Sequence, residues 1–231
     1  MRFNPDKCEV LIATNKKSPI HSEYTIHGQV LNQTDSFKYL GLNIHKSLCL
    51  DSHIYKITKK ANSTLAFLGC NVSRCPTIIK AQCYTTLVRS TLEYASNIWS
   101  PSKKDSVNNV EAVQRRAARF ATGDYQRTNS VTAMLQQLQW QTLQSGRAYS
   151  QTVMMYRSVQ SCWYTSGTPP QPHLSSNQRP FTTIPGTTQE LVYRTSFFPQ
   201  TIRLWNQLPG SVVEADTLNS FKAQLSRATL I

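Results

Sequence analysis

The chain has 231 residues, 39% of them hydrophobic, and its 25 Lys and Arg outnumber its 12 Asp and Glu to give a net charge of +13. The length suffices for one large or two small domains with a core, and the composition excludes a wholly disordered chain. The basic surplus favours a polyanionic partner, either nucleic acid or an acidic membrane face. A basic protein without such a partner is the alternative.

The sequence shows neither a membrane span nor a secretion signal. No apolar run reaches the roughly 18 residues of a transmembrane helix, and the N-terminal segment MRFNPDKCEVLIA lacks the apolar stretch of a signal peptide. The six cysteines are irregularly spaced, which favours a reduced protein over a disulfide framework. We therefore expect an intracellular protein, in the nucleus or the cytoplasm, that is not secreted and has no membrane partner.

Residues 1–48 have the pattern of short strands in a small antiparallel unit. CEVLIA is a compact apolar run, and YTIHGQVL carries His27-Gly28 between two β-prone pieces, which predicts a hairpin turn. FKYLGLNI predicts a further strand with Gly41 inside it. Because glycine weakens a strand, its presence there indicates a bulge or the close approach of another backbone.

Helical periodicity begins at Asp51, and residues 49–127 form the predicted main helical region. A first helix covers 51–69, with Gly69 as its C-terminal cap. A second covers 76–99. Its predicted inward stripe is Ile79, Cys83, Leu87, Thr91, Ala95 and Ile98. A third covers 103–122, with an ion pair between Glu111 and Arg115 and Gly123 at its end. Its predicted inward residues are Val107, Val110, Val113, Ala117 and Phe120.

The remaining chain divides into three predicted parts. Residues 128–164 are connecting helices, the first of them capped by Ser130. Residues 165–190 hold five prolines among Ser, Thr and Gln, which is typical of a linker. Residues 191–231 are a strand followed by two helices. The fold class that follows from all parts is α+β, mainly α.

Catalytic and metal motifs are hard to find in this sequence. No two aspartates are adjacent, whereas two-metal nucleotidyl transfer needs carboxylates that converge on Mg²⁺. His45, Cys49 and His53 are spaced by four but straddle a predicted strand–helix connection, so we predict no metal site there. No phosphate-binding loop or nucleophile motif is present either. We expect no cofactor in this chain and no small-molecule substrate.

The positive signal is the charge of the helical region. Between Lys56 and Arg127 there are twelve Lys and Arg but four Asp and Glu, a surplus of eight positive charges. Helices with an apolar stripe and a basic outer face suit contacts to a phosphate backbone, with affinity but no sequence readout. A solvated basic surface without a ligand is the alternative.

Several stretches occur together in a recognisable order. They are FNPDKCEVL, FKYLGLNI, HIYKITKKANSTLAFL, YTTLVRSTLEYASNIWSP, VEAVQRRAARF and FFPQTIRLWNQLPGSVVEADTLNSFKAQL. Together they resemble the C-terminal part of the reverse transcriptase of non-LTR retrotransposons of the jockey and chicken-repeat type. The resemblance covers nearly the whole chain. It implies a palm-derived β unit over 1–48 and a helical thumb over 49–127.

The resemblance also implies site residues and partners. Tyr39, Leu40 and Gly41 match the primer-grip hairpin, which would face the primer backbone. Lys7 matches the lysine proposed to protonate the pyrophosphate leaving group. The thumb residues that would contact a template–primer duplex of RNA and DNA are Lys56, Lys59, Lys60, Arg115, Arg116 and Arg119.

The chain departs from the family in its catalytic part. The strand with tyrosine-x-aspartate-aspartate, which would hold Mg²⁺ in the parent enzyme, is not in the sequence. We therefore expect a truncated fragment of an RNA-directed DNA polymerase that retains at most nucleic-acid binding and lacks polymerase activity. The alternative is a non-functional relic, or a domesticated helical interaction protein whose charge is incidental.

Overall fold

The computed structural model describes residues 3–14, 22–166 and 196–228, with side chains described as far as residue 160 in the second range. The chain divides into two compact units, Met1–Lys56 and Ile57–Ile231. Strands occur near the N-terminus and helices follow, so the predicted α+β, mainly α class is confirmed. The predicted linker over 165–190 lies outside the described residues, except for 165 and 166 at the end of a helix.

The first unit contains short strands that pair two by two. After a 3₁₀ turn over Pro5–Lys7, the strands are β1 (Glu9–Val10), β2 (Thr25–Ile26), β3 (Gln29–Val30), β4 (Asn32–Gln33), β5 (Ser36–Tyr39) and β6 (Leu42–His45). β2 with β3 and β5 with β6 are antiparallel. β1 and β4 pair in parallel, which the predicted all-antiparallel unit did not include.

Two tight turns with the same backbone shape close the antiparallel pairs. His27 and Gly28 have φ of +53° and +79°, as the sequence predicted for that turn. Leu40 and Gly41 have φ of +45° and +85°. Positive φ at both central residues is the type I′ geometry, which matches the twist of a two-stranded ribbon. FKYLGLNI is therefore two strands and a turn, and the prediction of one strand with an internal glycine was wrong.

Helix α1 (Asp51–Asn71) is followed by a helical stretch with two interruptions. The stretch contains α2 (Thr77–Cys83), a π-helical segment (Tyr84–Arg89), α3 (Ser90–Glu93) and α4 (Ser96–Trp99). Ala95, with φ of +51°, breaks the helix between α3 and α4. Gly69 lies inside α1, so its predicted role as a cap was wrong.

The face of the second predicted helix was also wrong. Tyr84, Val88 and Leu92 are completely buried there, whereas Leu87 and Ile98 are exposed. The π-helical segment adds a residue to one turn and shifts the register. The ring of Tyr84 packs against Trp140, with centroids 4.4 Å apart, and this distant contact selects the buried face.

Helix α5 (Lys104–Thr122) is central to the second unit. Val110, Val113, Ala117 and Phe120 are buried on it as predicted, and Gly123 ends it with φ of +73°. Helix α6 (Val131–Gln137) begins after Ser130, whose hydroxyl accepts the N–H of Ala133, so this predicted cap is confirmed. Both α6 and the long helix α7 (Leu143–Ser166) pack against α5.

The C-terminal helices pack against α7 around a separate aromatic cluster. They are α8 (Phe197–Asn206), α9 (Gly210–Val213) and α10 (Leu218–Arg227). The ring of Tyr156 stacks on Phe221 with centroids 4.3 Å apart, and its hydroxyl donates to the carbonyl of Ala215 at 2.6 Å. Trp205 and Leu225 also belong to this buried cluster.

Candidate nucleic-acid interface

A groove of about 420 Å³ lies between α1 and α5 in the second unit. Asn62, Leu65, Ala66 and Gly69 line it from α1; Arg116, Arg119 and Phe120 line it from α5; Tyr125 lines it from the following loop. Gly69 has nothing within 4 Å of where a Cβ would be. The groove therefore has an apolar floor with arginines and a tyrosine beside it.

The three arginines that the sequence singled out on α5 differ in their contacts. Arg115 donates through Nη2 to the carbonyl of Asn108 at 3.2 Å and does not line the groove. Arg119 donates through Nη1 to the carbonyl of Gln126 at 2.6 Å, which ties the loop after α5 to the helix. Arg116 is exposed and makes no hydrogen bond or ion pair within the described residues.

The predicted ion pair between Glu111 and Arg115 was wrong. Oε1 and Oε2 of Glu111 accept the backbone N–H groups of Gln144 and Leu143 at the start of α7. Oε1 also lies 3.6 Å from Nη2 of Arg147. The carboxylate is therefore directed away from the basic face of α5, which leaves that face without an acidic partner from Glu111.

The loop after α5 places an aromatic side chain beside the arginines. Tyr125 is 67% exposed. Asp124, next to it, accepts the side-chain amide of Asn129 at 2.6 Å and the N–H of Gln126 at 3.0 Å. The Asn129 hydrogen bond, followed by that of Gln126, lowers the pKa of Asp124. This turn gives Tyr125 a defined position at the groove.

Of the three α1 lysines predicted to bind nucleic acid, helical spacing places only Lys59 on the face that lines the groove. Lys59 is one turn before Asn62 and two turns before Ala66, so the same face of α1 carries all three. Lys60 points away from that face. Lys56, in the first unit, donates through Nζ to Oδ1 of Asn43 at 3.3 Å.

The remaining predicted residues lie in the first unit. Leu40 is 71% exposed and Tyr39 is 56% exposed, at and beside the tip of the β5–β6 hairpin, where Gly41 completes the turn. Lys7 is the exposed last residue of the 3₁₀ turn. Exposure allows these side chains to meet a ligand, and their proposed roles at a primer or a leaving group stay predictions.

The His45, Cys49 and His53 spacing does not assemble a metal site. Nδ1 of His45 lies 2.8 Å from the hydroxyl of Ser47, whereas Nδ1 of buried His53 accepts the N–H of Asn43 at 3.4 Å. Burial, followed by the nearby charge of Lys56, lowers the pKa of His53. Within the described ranges, no cluster of three or more His, Cys, Asp or Glu could hold a metal ion.

No helix in the same ranges is long and apolar enough to cross a membrane.

Comparison with known proteins finds a similarity over about half of the chain. The chain is 27% identical over 126 residues to a probable RNA-directed DNA polymerase from transposon BS of Drosophila melanogaster. The matched part is 53% of this chain and 14% of that protein, so the chain spans far less than the length of its relative. The similarity supports a reverse transcriptase-related region in the chain. No family model matches the chain, and no solved structure matches it significantly.

Sequence reasoning found the arginines but missed their surroundings. Asn62 was not singled out, and Gly69 was predicted only as a helix cap, because nothing local shows that α1 faces α5. Tyr125 was missed as well, although an aromatic residue directly after a basic helix, in Gly-Asp-Tyr-Gln, is a usable signal. Aromatic side chains interleaved with arginines are typical of surfaces that stack on nucleic acid.

Proposed function

We propose that this chain is part of a non-LTR retrotransposon reverse transcriptase, from the palm end through the thumb, and that it binds a template–primer duplex of RNA and DNA. The similarity to a transposon RNA-directed DNA polymerase supports the parent activity. The observation that carries the binding proposal is the groove between α1 and α5, with Arg116, Arg119 and Tyr125 around it.

The groove suits contacts to a nucleic-acid backbone. Exposed Arg116 supplies a guanidinium whose donors match phosphate oxygens. Tyr125 supplies a ring on which a sugar or an end base can pack. Lys59 extends the positive charge along the same face of α1. No feature of the groove requires a particular base, so binding depends on charge and shape.

The polymerase step itself requires metal-binding carboxylates. The sequence contains no adjacent aspartates, and Mg²⁺ in two-metal nucleotidyl transfer needs converging carboxylate ligands. We propose that this chain supplies duplex-binding surfaces and that the Mg²⁺ chemistry belongs to the parent enzyme. Lys7 would act in that chemistry only beside the parent's metal site.

Fluorescence anisotropy with a labelled RNA–DNA duplex tests the binding proposal. Two duplexes of the same length and unrelated sequence should bind with similar affinity, and log K should fall linearly with log[salt]. A matched double-stranded DNA shows whether the shape of the hybrid contributes. Failure to bind any of the three at low salt would contradict the proposal and favour a relic or a protein-interaction domain.

A further inference from the structure

A second cavity, of about 220 Å³, lies between α7, α8 and the start of α5. Its polar lining comes from Ser100, Gln144, Arg147, Gln151, Gln200 and Arg203, and no acidic residue of the described part of the chain lines it. The cavity shares no lining residue with the groove between α1 and α5.

Arg147 is the decisive residue of this cavity. It is 2% exposed, and its Nη2 lies 3.6 Å from Oε1 of Glu111, which is long for a hydrogen bond. The oxygens of Glu111 already accept the N–H groups of Leu143 and Gln144. Nη1 of Arg147 is buried and has no hydrogen-bond partner within the described residues.

An unsatisfied guanidinium in a buried position is costly. Burial lowers the pKa of Arg147, and the carboxylates of Glu111 and Glu93 act in the opposite direction. Arginine has five N–H donors and no acceptor, so it can be satisfied only by acceptors. The cavity that Arg147 lines is where a ligand with several acceptor oxygens could supply them.

The other polar groups face the cavity from two helices. Gln144, Arg147 and Gln151 are three and four residues apart along α7, and Gln200 and Arg203 are three residues apart on α8. Nε2 of Gln151 donates to Oε1 of Gln200 at 3.4 Å, which joins the two helices. Arg203 is exposed, and its Nε donates to the carbonyl of Pro199 at 3.1 Å.

We propose that this cavity binds a phosphate group. Among the described residues, two guanidinium groups, three amides and a hydroxyl line the cavity and no carboxylate does, and this chemistry selects an oxyanion. A tetrahedral phosphate presents acceptors in several directions and can meet donors from α7 and α8 together. The bound phosphate would lie beside Arg147 and Arg203, which line the cavity from α7 and α8, and would hold α8 against α7.

The phosphate group has two possible sources, free inorganic phosphate or the terminal phosphate of a nucleic-acid strand. Isothermal titration with inorganic phosphate, against sodium chloride at matched ionic strength, tests the site itself. We expect saturable binding of phosphate and none of chloride. The absence of saturable phosphate binding would overturn the proposal.

Variants of exposed arginines assign the binding to the cavity. Arg203→Gln should weaken phosphate binding about tenfold or more, since it removes a charge-assisted contact. Arg227→Gln on α10 removes the same charge outside the cavity and should leave binding unchanged. Arg147→Gln should abolish binding, but it can also unfold the chain, so Arg203→Gln is the deciding variant. Equal losses in Arg203→Gln and Arg227→Gln would overturn the proposal.

Short oligonucleotides with a 5′-phosphate or a 5′-hydroxyl then identify the source. If the 5′-phosphorylated strand competes with inorganic phosphate and the 5′-hydroxyl strand does not, the site binds a strand end. This competition should be lost in Arg203→Gln. Competition by neither strand assigns it to the free anion. Both results support a phosphate site, and neither depends on duplex binding in the groove between α1 and α5. Equal competition by both strands would show that phosphate is displaced by general charge, against the proposal.

Discussion

Glu111 of α5 accepts the backbone N–H of Gln144 at a distance of 2.7 Å, so a side chain of one helix caps the start of another. Gln114 and Thr142 satisfy neighbouring N–H groups of α7 through Oε1 and Oγ1, at 3.1 Å each. The first N–H groups of a helix have no partner within the helix, and buried ones need an acceptor. The carboxylate also suits the positive end of the helix dipole.

Replacing Glu111 should be strongly destabilising. Glu111→Gln removes the only carboxylate within 4 Å of the buried Arg147 guanidinium in the described structure. Removing one partner of a buried pair typically costs about 3–5 kcal/mol. We expect the lower part of that range, because an amide oxygen can still accept one N–H of α7. Urea unfolding followed by circular dichroism measures the free energy of unfolding.

Asp105→Asn is the matched control for this prediction. It removes an exposed carboxylate from the first turn of the same helix, where a negative charge contributes only about 0.3–1 kcal/mol. Equal destabilisation by the two variants would show that the charge of α5, and not the contact with α7, is what matters.

The two type I′ hairpins allow a paired prediction for the primer-grip hypothesis. Leucine in the left-handed region costs about 1–2 kcal/mol, whereas asparagine tolerates it. Leu40→Asn should therefore stabilise the chain by about 1 kcal/mol. If Leu40 contacts the primer backbone, the same variant should bind the RNA–DNA duplex more weakly, so stability and affinity would change in opposite directions.

His27→Asn tests the same turn chemistry away from the proposed primer contact. His27 has φ of +53° in the corresponding position of the other hairpin. The substitution should leave duplex binding unchanged, with a smaller gain in stability because histidine already tolerates positive φ better than leucine. Unchanged affinity in Leu40→Asn would mean that Leu40 is only a turn residue.

The stability of the chain should fall as the pH decreases below 6.5, the ordinary pKa of histidine. The folded-state pKa of His53 lies below its unfolded value of 6.5, because burial and then Lys56 disfavour the charged ring. The unfolded chain therefore binds more protons between the two pKa values. The contribution of neutral His53 is complete above pH 6.5 and is lost as pH falls toward the folded pKa.

Measuring the free energy of unfolding of the native chain and His53→Gln from pH 7.5 to pH 5 checks this dependence. Glutamine retains an acceptor for the N–H of Asn43 but does not titrate in this range, so the variant should show a shallower loss of stability. Identical pH profiles would show that His53 does not couple to folding.

The sequence was sufficient for elements that local signals specify. The spacing of Val110, Val113, Ala117 and Phe120 predicted α5. Ser130 predicted the start of α6, and His27-Gly28 predicted a hairpin. Each of these depends on residues within one turn or a few helical turns of each other. Local spacing is the information that periodicity and capping rules use.

Features that depend on distant contacts could not be predicted. The buried face around Tyr84 is set by a π-helical segment and by Trp140, more than fifty residues away. The difference between Arg115 and Arg116 depends on the carbonyl of Asn108 and on α1 lying beside α5. The basic helix could therefore be predicted from local spacing, whereas the groove depends on the packing of two helices.

Purified protein should not extend a primed RNA template with Mg²⁺ and deoxynucleotides. The sequence has no adjacent aspartates, and within the described residues no cluster of His, Cys, Asp or Glu could hold the two metal ions that activate the primer hydroxyl. A primer-extension assay after gel filtration measures this, with a known polymerase in the same buffer as the positive control. Extension that coelutes with the protein would contradict the prediction and would require another metal site.

The arginines of α5 give the sharpest test of duplex binding. Arg116→Gln should make the slope of log K against log[salt] shallower by about 0.9, the value for one phosphate contact on B-DNA. Arg115→Gln carries the same charge change one residue away, but Arg115 contacts the carbonyl of Asn108 and does not line the groove. Its slope should change by less than half as much.

Arg119 is less suited to this comparison, because Arg119→Gln also releases the loop at Gln126 and with it Tyr125. Anisotropy over a salt series, with circular dichroism to verify folding, gives the slopes of the two selected variants. If Arg115→Gln and Arg116→Gln reduce the slope equally, the duplex responds to the overall charge of α5 and not to the groove. If neither changes it, this face is solvated, and the relic interpretation of the chain gains support over duplex binding.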